Sequence, residues 1–201
     1  MSTARDLMIV TLDVTPGRPV ESGDLSLALA GAELIDLNTD ESLTLDGDRI
    51  LPNVRLPQTD PLLDEASAAL LREEPYEPVE EWLWRRGQGL SKAYVAVLEA
   101  EGQIARQRGR WIPVRTGRTA LVDSPARQRA GARWAAGEPV LAALAAAVGI
   151  RDLPVEDDPG LTDESRLTVL AAVHDAVMEL EGVRQRRKIE DAAFDNIWRG
   201  Q

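Results

Sequence analysis

The residues best placed to act together lie between positions 106 and 118, reading Arg106-Gln107-Arg108-Gly109-Arg110-Trp111-Ile112-Pro113-Val114-Arg115-Thr116-Gly117-Arg118. Five arginines and no acid flank the apolar run Trp111 to Val114, in a chain of net charge −11. A guanidinium meets phosphate through paired N–H donors, and an indole settles at the headgroup level of a bilayer. The pattern suits a membrane interface, with Arg106, Arg108, Arg110, Arg115 and Arg118 on lipid phosphates and Trp111 and Ile112 between them. It equally suits an ordinary hairpin whose Trp111 packs into the core and whose arginines pair with the acidic surface. The residues alone leave both readings open. A second basic run, Arg184, Arg186, Arg187 and Lys188, reads as the solvated face of a helix.

The other reactive side chains point to structure rather than catalysis. Asp60, Asp64 and Glu65 are close enough on one helix to hold a hard cation. The simpler reading is that acids in a first turn stabilise the positive end of that helix. Glu156-Asp157-Asp158 reads as a solvated acidic loop. His174, the single histidine, is expected to be a buried, hydrogen-bonded residue on the apolar side of a helix. One histidine and no cysteine leave no multi-histidine metal site, no Cys-based zinc site, no disulfide and no thiolate chemistry. There is no glycine-rich phosphate loop and no nucleophile elbow. No metal or cofactor is expected, and with no convergent nucleophile and base an enzyme is the least favoured reading.

The elements that must position these residues are mostly helices. Leu7 to Leu12 is a short apolar segment, helix or strand, and Thr15-Pro16-Gly17-Arg18-Pro19 is a turn. Ser22-Gly23-Asp24 offers an N-cap to a helix apolar nearly all round from Leu25 to Leu37, with Gly31 allowing close packing. Ser42 to Leu51 alternates apolar and polar residues about Asp46-Gly47, the strongest hairpin signal in the chain. A helix followed by a hairpin also suggests a winged-helix nucleic-acid binder, but the hairpin offers only Arg49 among Asp40, Glu41, Asp46 and Asp48. Thr59-Asp60-Pro61 opens the next helix. A helix through Trp82 and Leu83 breaks at Gly87-Gln88-Gly89, and Leu90 to Glu101 forms another. A second hairpin is expected from Ala105 to Leu121. Ser124-Pro125, Pro139 and Thr162-Asp163 open three later helices. The last of these carries Leu167, Leu170, Ala171, His174, Val177 and Met178, and a final segment ends near Trp198.

Composition bounds the setting. The chain has 201 residues, 44 % hydrophobic and 4 % aromatic, enough for one domain spanning residues 1–201 with a core of Leu, Ala and Val. The acidic balance argues against nucleic acid as a partner and against general adhesion to anionic lipid, so lipid binding needs a local basic patch. Leu7 to Val10 is too short for a signal-peptide core, and no apolar run reaches the roughly 20 residues of a spanning helix. A cytoplasmic location is expected. Two lysines among many arginines suggest GC-rich coding and a bacterial chain.

Four stretches together resemble the Golgi phosphoprotein 3 family: Ala28 to Leu37, the hairpin Leu43 to Ile50, Thr59-Asp60-Pro61-Leu62-Leu63-Asp64-Glu65-Ala66, and Arg166 to Leu180. They stand in the family's order, and Asp60 to Ala66 is the most specific of them. The resemblance implies a mainly α, compact single-domain helical fold decorated with β-hairpins. It also implies an adaptor, not an enzyme, held peripherally on membranes by phosphatidylinositol 4-phosphate and able to engage cytosolic tails of membrane proteins. Ala105 to Leu121 falls where the family has a hydrophobic-tipped hairpin that contributes to membrane insertion and self-association. The positions of the family's headgroup-binding tryptophan and arginines correspond to Glu21, Ala30, Gln88 and Ser91. None of these can replace an arginine on phosphate, whereas Arg85, Arg86 and Lys92 lie nearby. The competing expectation is a soluble protein-interaction module of the same fold without lipid binding.

Overall fold

The computed structural model describes residues 2–14, 19–106, 119–150 and 163–199. Among them are eight helices and two two-stranded antiparallel sheets, which matches the expected helical fold with hairpins. The order is α1 Thr3–Asp13, α2 Ser22–Thr39, β1 Leu43–Asp46, β2 Arg49–Pro52, α3 Pro61–Ala69, α4 Val79–Arg86, α5 Leu90–Ala100, β3 Ile104–Arg106, β4 Thr119–Leu121, α6 Pro125–Ala135, α7 Pro139–Ala147 and α8 Glu164–Arg199. The turn at residues 15–18 and the acidic loop at 156–158 lie outside the described residues.

The all-round apolar character of α2 places it at the centre. Every residue from Leu25 to Leu37 except Ser26, Glu33 and Asp36 is apolar or glycine, and all are buried. A helix of that composition is stable only when surrounded. Helices α1, α3, α4, α5, α7 and α8 pack around it, and the buried residues from Ala4 to Val177 form one hydrophobic cluster. Gly31 permits the closest of these approaches. A methyl group there would come within 2.3 Å of Val173 Cγ2 on α8.

Local signals set the other elements. The Leu7–Leu12 segment is helical within α1, with the Ser2 hydroxyl accepting from Arg5 N at 3.2 Å. The Asp46-Gly47 signal produces β1–β2, with Asp46 opposite Arg49 and Gly47 at φ 58°. Ile50 N–H donates to Glu77 O at 3.0 Å and Val79 N–H to Asp48 O at 2.9 Å, fixing this hairpin to the start of α4. Asp60 caps α3 by accepting from Leu62 N at 3.0 Å, with Pro61 in the first turn. Ser124 and Asp163 accept from the first turns of α6 and α8.

Two expectations need correction. Ser22-Gly23-Asp24 does not cap α2. The cap position is Glu21, without a side-chain cap bond, because the Ser22 hydroxyl pairs with Ser91 and Asp24 pairs with Arg184. His174 is not buried: it is exposed on α8. The buried face of α8 is Val169, Val173, Ala176 and Val177. Leu167, Leu170, Ala171, His174 and Met178 instead line one wall of a groove between α7 and α8. The helix has two apolar faces, and the more obvious stripe is the outer one. The final segment expected to end near Trp198 is the end of α8, which runs unbroken to Arg199.

Candidate functional site

Helices α1, α2 and α5 enclose a cleft of about 510 Å³ beside the first turn of α2. Met8, Leu12, Leu25 and Val95 supply apolar walls, and Ser22, Ser91 and Lys92 supply polar groups. Three hydroxyls join its floor to the core. Ser22 Oγ and Ser91 Oγ are 2.8 Å apart, Ser26 Oγ donates to Ser91 Oγ at 3.0 Å, and Ser91 N–H donates to Ser26 Oγ at 3.1 Å. This last bond satisfies an N–H in the first turn of α5, whose cap residue Gly89, at φ 71°, supplies no side-chain cap. The sequence reading took Ser22 as a cap and Ser91 as a headgroup position, and it did not bring them together with Ser26. Their signal is faint: Ser22 and Ser26 are one turn apart on a helix whose surroundings are otherwise apolar.

The four positions matched to the family's headgroup residues divide in two. Glu21, Gln88 and Ser91 lie at the α2–α5 end of this region, with Glu21 and Gln88 exposed and Ser91 buried. Ala30 faces the core with no exposed surface, and its carbonyl accepts from Trp82 Nε1 at 3.2 Å.

Arg85 and Arg86 are both held by carboxylates. Arg85 donates to both oxygens of Glu77, each at 2.7 Å, and to Ala69 O at 3.1 Å, and its guanidinium lies 5.1 Å from the Trp82 ring centroid. Arg86 donates to the two oxygens of Glu33 at 2.8 and 3.0 Å and to Leu62 O at 3.0 Å. Tyr94 Oη donates to Glu33 Oε1 at 3.1 Å. Burial raises the Glu33 carboxyl to about 7, because the side chain has no exposed surface, and the Arg86 fork pulls it back only in part. Tyr94 is pushed up by the same burial and then by the Glu33 charge. Asp36, which accepts from Ala4 N at 3.3 Å, is raised by burial to about 6.

Asp60, Asp64 and Glu65 do not converge. Arg5 donates to Asp60 and, at 2.6 and 2.8 Å, to Glu101, whose carboxyl it lowers. Asp64 accepts from Arg55 at 2.7 Å, and Glu65 stands exposed 3.9 Å from Arg86. Among the described residues no group of three or more His, Cys, Asp or Glu side chains is arranged to hold a metal ion. No helix of the described residues is long and apolar enough to cross a membrane.

The arginine-rich segment is carried by β3 and β4. Ile104 pairs with Leu121, Ala105 with Ala120 and Arg106 with Thr119, so the base of the expected Ala105–Leu121 hairpin is formed. Arg108, Arg110, Trp111, Ile112, Arg115 and Arg118 lie outside the described residues. Of the second basic run, Arg184 donates to Asp24 at 2.7 and 3.0 Å, and Arg186, Arg187 and Lys188 are exposed.

The described residues form a helical scaffold with a central buried helix, two hairpins and arginine–carboxylate clamps. The family model described as Golgi phosphoprotein 3 matches residues 4–189, and the chain belongs to that family. Comparison with curated proteins gives no match.

Proposed function

We propose that the protein is a peripheral membrane adaptor, not an enzyme, that docks on anionic lipid headgroups. By family resemblance the headgroup is phosphatidylinositol 4-phosphate, and the cargo is the cytosolic tails of membrane proteins. The observation that carries this reading is family membership across residues 4–189, combined with a β3–β4 base that includes Arg106 and brackets four more arginines and Trp111. Short-range contacts near an anionic surface contribute about 1 kcal/mol per basic residue. Trp111 adds an apolar contribution that salt does not screen.

The docking element is therefore Arg106 to Arg118, and Arg85 and Arg86 support it as scaffold. Releasing Arg86 to a lipid would leave the buried Glu33 without its partner. Arg85 is 41 % exposed and reaches a headgroup only by giving up Glu77. These clamps are also the observation that favours the second reading, a soluble protein-interaction module. Among the described cleft-lining residues, Lys92 is the sole cation.

Co-sedimentation of Trp111→Ala and of the double variant Arg108→Ala, Arg110→Ala with anionic liposomes separates the contributions. Trp111→Ala is expected to weaken binding at every ionic strength, and the double arginine variant to flatten the salt dependence. If both variants bind liposomes like the wild type, the hairpin is not the docking element.

A further inference from the structure

The cleft between α1, α2 and α5 gathers two hydroxyls and its one described cation at the same end. Ser22 opens α2, and Ser91 and Lys92 stand in the first turn of α5. The N-terminal ends of helices of 18 and 11 residues therefore meet there, and each brings the positive end of its dipole. Glu21, the exposed cap residue of α2, does not line the cleft. Lys92 is exposed and makes no ion pair with a described residue. Arg86, Arg133 and Arg184, by contrast, are each held by a carboxylate. Ser22 is exposed too, and Ser91 Oγ lies 2.8 Å from its hydroxyl. When Ser91 donates in that contact, Ser22 keeps its own proton for an anion.

Away from that end the walls are apolar. Lys92, Val95, Ala96 and Glu99 follow one another on α5 at the spacings that share a helix face. From Lys92 to Glu99 the face runs about 10 Å. Met8 and Leu12, one turn apart on α1, form the facing wall. Arg5 on α1 donates to Glu101 just past α5, at 2.6 and 2.8 Å, so the two helices stay side by side to the far end. Glu99, a carboxylate, stands towards that far end, which leaves the Lys92 end as the place for negative charge. A concave, mainly apolar space of about 510 Å³ with a few convergent polar groups has the size and lining of a small-molecule site. One cation does not match the two phosphates of phosphatidylinositol 4-phosphate, and a bare anion would leave the apolar walls unused.

We infer that the α1–α2–α5 cleft binds a single-chain amphiphile with one negative charge, its head on Lys92 and Ser22 and its alkyl chain along Val95, Leu12 and Met8. The chain removes apolar wall from water, and the head meets one ammonium, one hydroxyl and two helix ends of the right sign. This site stands apart from the arginine-rich hairpin. The ligand is offered in solution, without a bilayer, so a protein that ignores liposomes can still bind it.

The test uses the full chain and titration calorimetry, with monomeric decanoate as the probe. Acetate supplies the head without the chain, decyltrimethylammonium the chain with the opposite charge, and inositol 1,4-bisphosphate two phosphates without a chain. Decanoate should bind once per chain, and each of the other three at least about tenfold more weakly. Lys92→Gln should weaken decanoate binding about tenfold, and Lys92→Arg should restore it. Ala96→Trp should fill the cleft and abolish binding without lowering the melting temperature, because Ala96 is exposed. The wild type has no cysteine, so thiol labelling of Ala96→Cys reports on the cleft alone, and decanoate should slow it. Decanoate and decanoyl lysophosphatidylglycerol present the same charge as a carboxylate and as a phosphodiester, and the tighter of the two names the source of the ligand. Decanoate that does not bind would overturn the inference. So would decanoate that binds Lys92→Gln and Ala96→Trp as tightly as the wild type, or that leaves the labelling rate unchanged. Equal binding of decyltrimethylammonium would overturn the assigned charge, and equal binding of inositol 1,4-bisphosphate would overturn the assigned chain.

Discussion

At the scale of single residues, similar ion pairs carry very different weight because their burial differs. Arg86 and Glu33 have side-chain exposures of 14 and 0 %, whereas Arg55 and Asp64 have 48 and 37 %. Arg86→Ala leaves the buried Glu33 without its guanidinium partner and frees the Leu62 carbonyl, so it should cost about 3–5 kcal/mol. Arg55→Ala should cost less than about 1 kcal/mol. Urea unfolding of both variants checks the contrast, and equal costs would contradict it. The raised carboxyls add a pH dependence. Asp36 and Glu33 are raised from 3.8 and 4.5 to about 6 and about 7, so between those limits the native state holds protons that the unfolded chain has released. Their contribution to stability is complete below about pH 4 and is lost as pH rises through 6 to 7. Asp36→Asn keeps an acceptor for the Ala4 N–H and removes the titration. Unfolding free energies measured from pH 4 to pH 8 should show this variant gaining on the wild type as pH rises, by on the order of 3 kcal/mol. A gap that stays constant or narrows would show that burial does not raise Asp36.

At the scale of elements, the fold depends on how closely α8 approaches α2. Gly31→Ala drives a methyl group to 2.3 Å from Val173 Cγ2. The overpacking should cost about 1–3 kcal/mol despite the better helix propensity of alanine. Adding Val173→Ala should recover part of that loss. Thermal unfolding of the single and double variants measures the coupling, and a stabilised single variant would contradict the close approach. The same contrast between near and far explains what could be read from the chain. Asp46-Gly47 and Asp60-Pro61 specify a turn and a helix start through bonds within a few residues, and both were legible. Arg86 meets Glu33 across 53 residues and Arg184 meets Asp24 across 160, and no local pattern encodes such a pairing. The Ser22–Ser91 contact, which takes Ser22 away from capping α2, was hidden for the same reason. His174 was misplaced because one helical stripe was taken as the core face of a helix that has two. The arginines around Trp111 were the most visible feature in the sequence, yet composition cannot distinguish a lipid phosphate from an acidic protein surface.

For the whole molecule, charge decides what kind of membrane binding is possible. A body of net charge −11 is repelled by an anionic bilayer at long range, so attraction must come from the five local arginines at short range. Binding should be modest, reversible and weakened by salt, since the Debye length falls from about 10 Å at 0.1 M to about 3 Å at 1 M. The most direct test of the adaptor reading is co-sedimentation of the wild-type protein with anionic and with zwitterionic liposomes across a salt series. The account predicts pelleting with anionic liposomes at low salt, declining as salt rises, and little pelleting with zwitterionic ones. A wild-type protein that ignores anionic liposomes at low salt would contradict it and leave the soluble interaction module in its place.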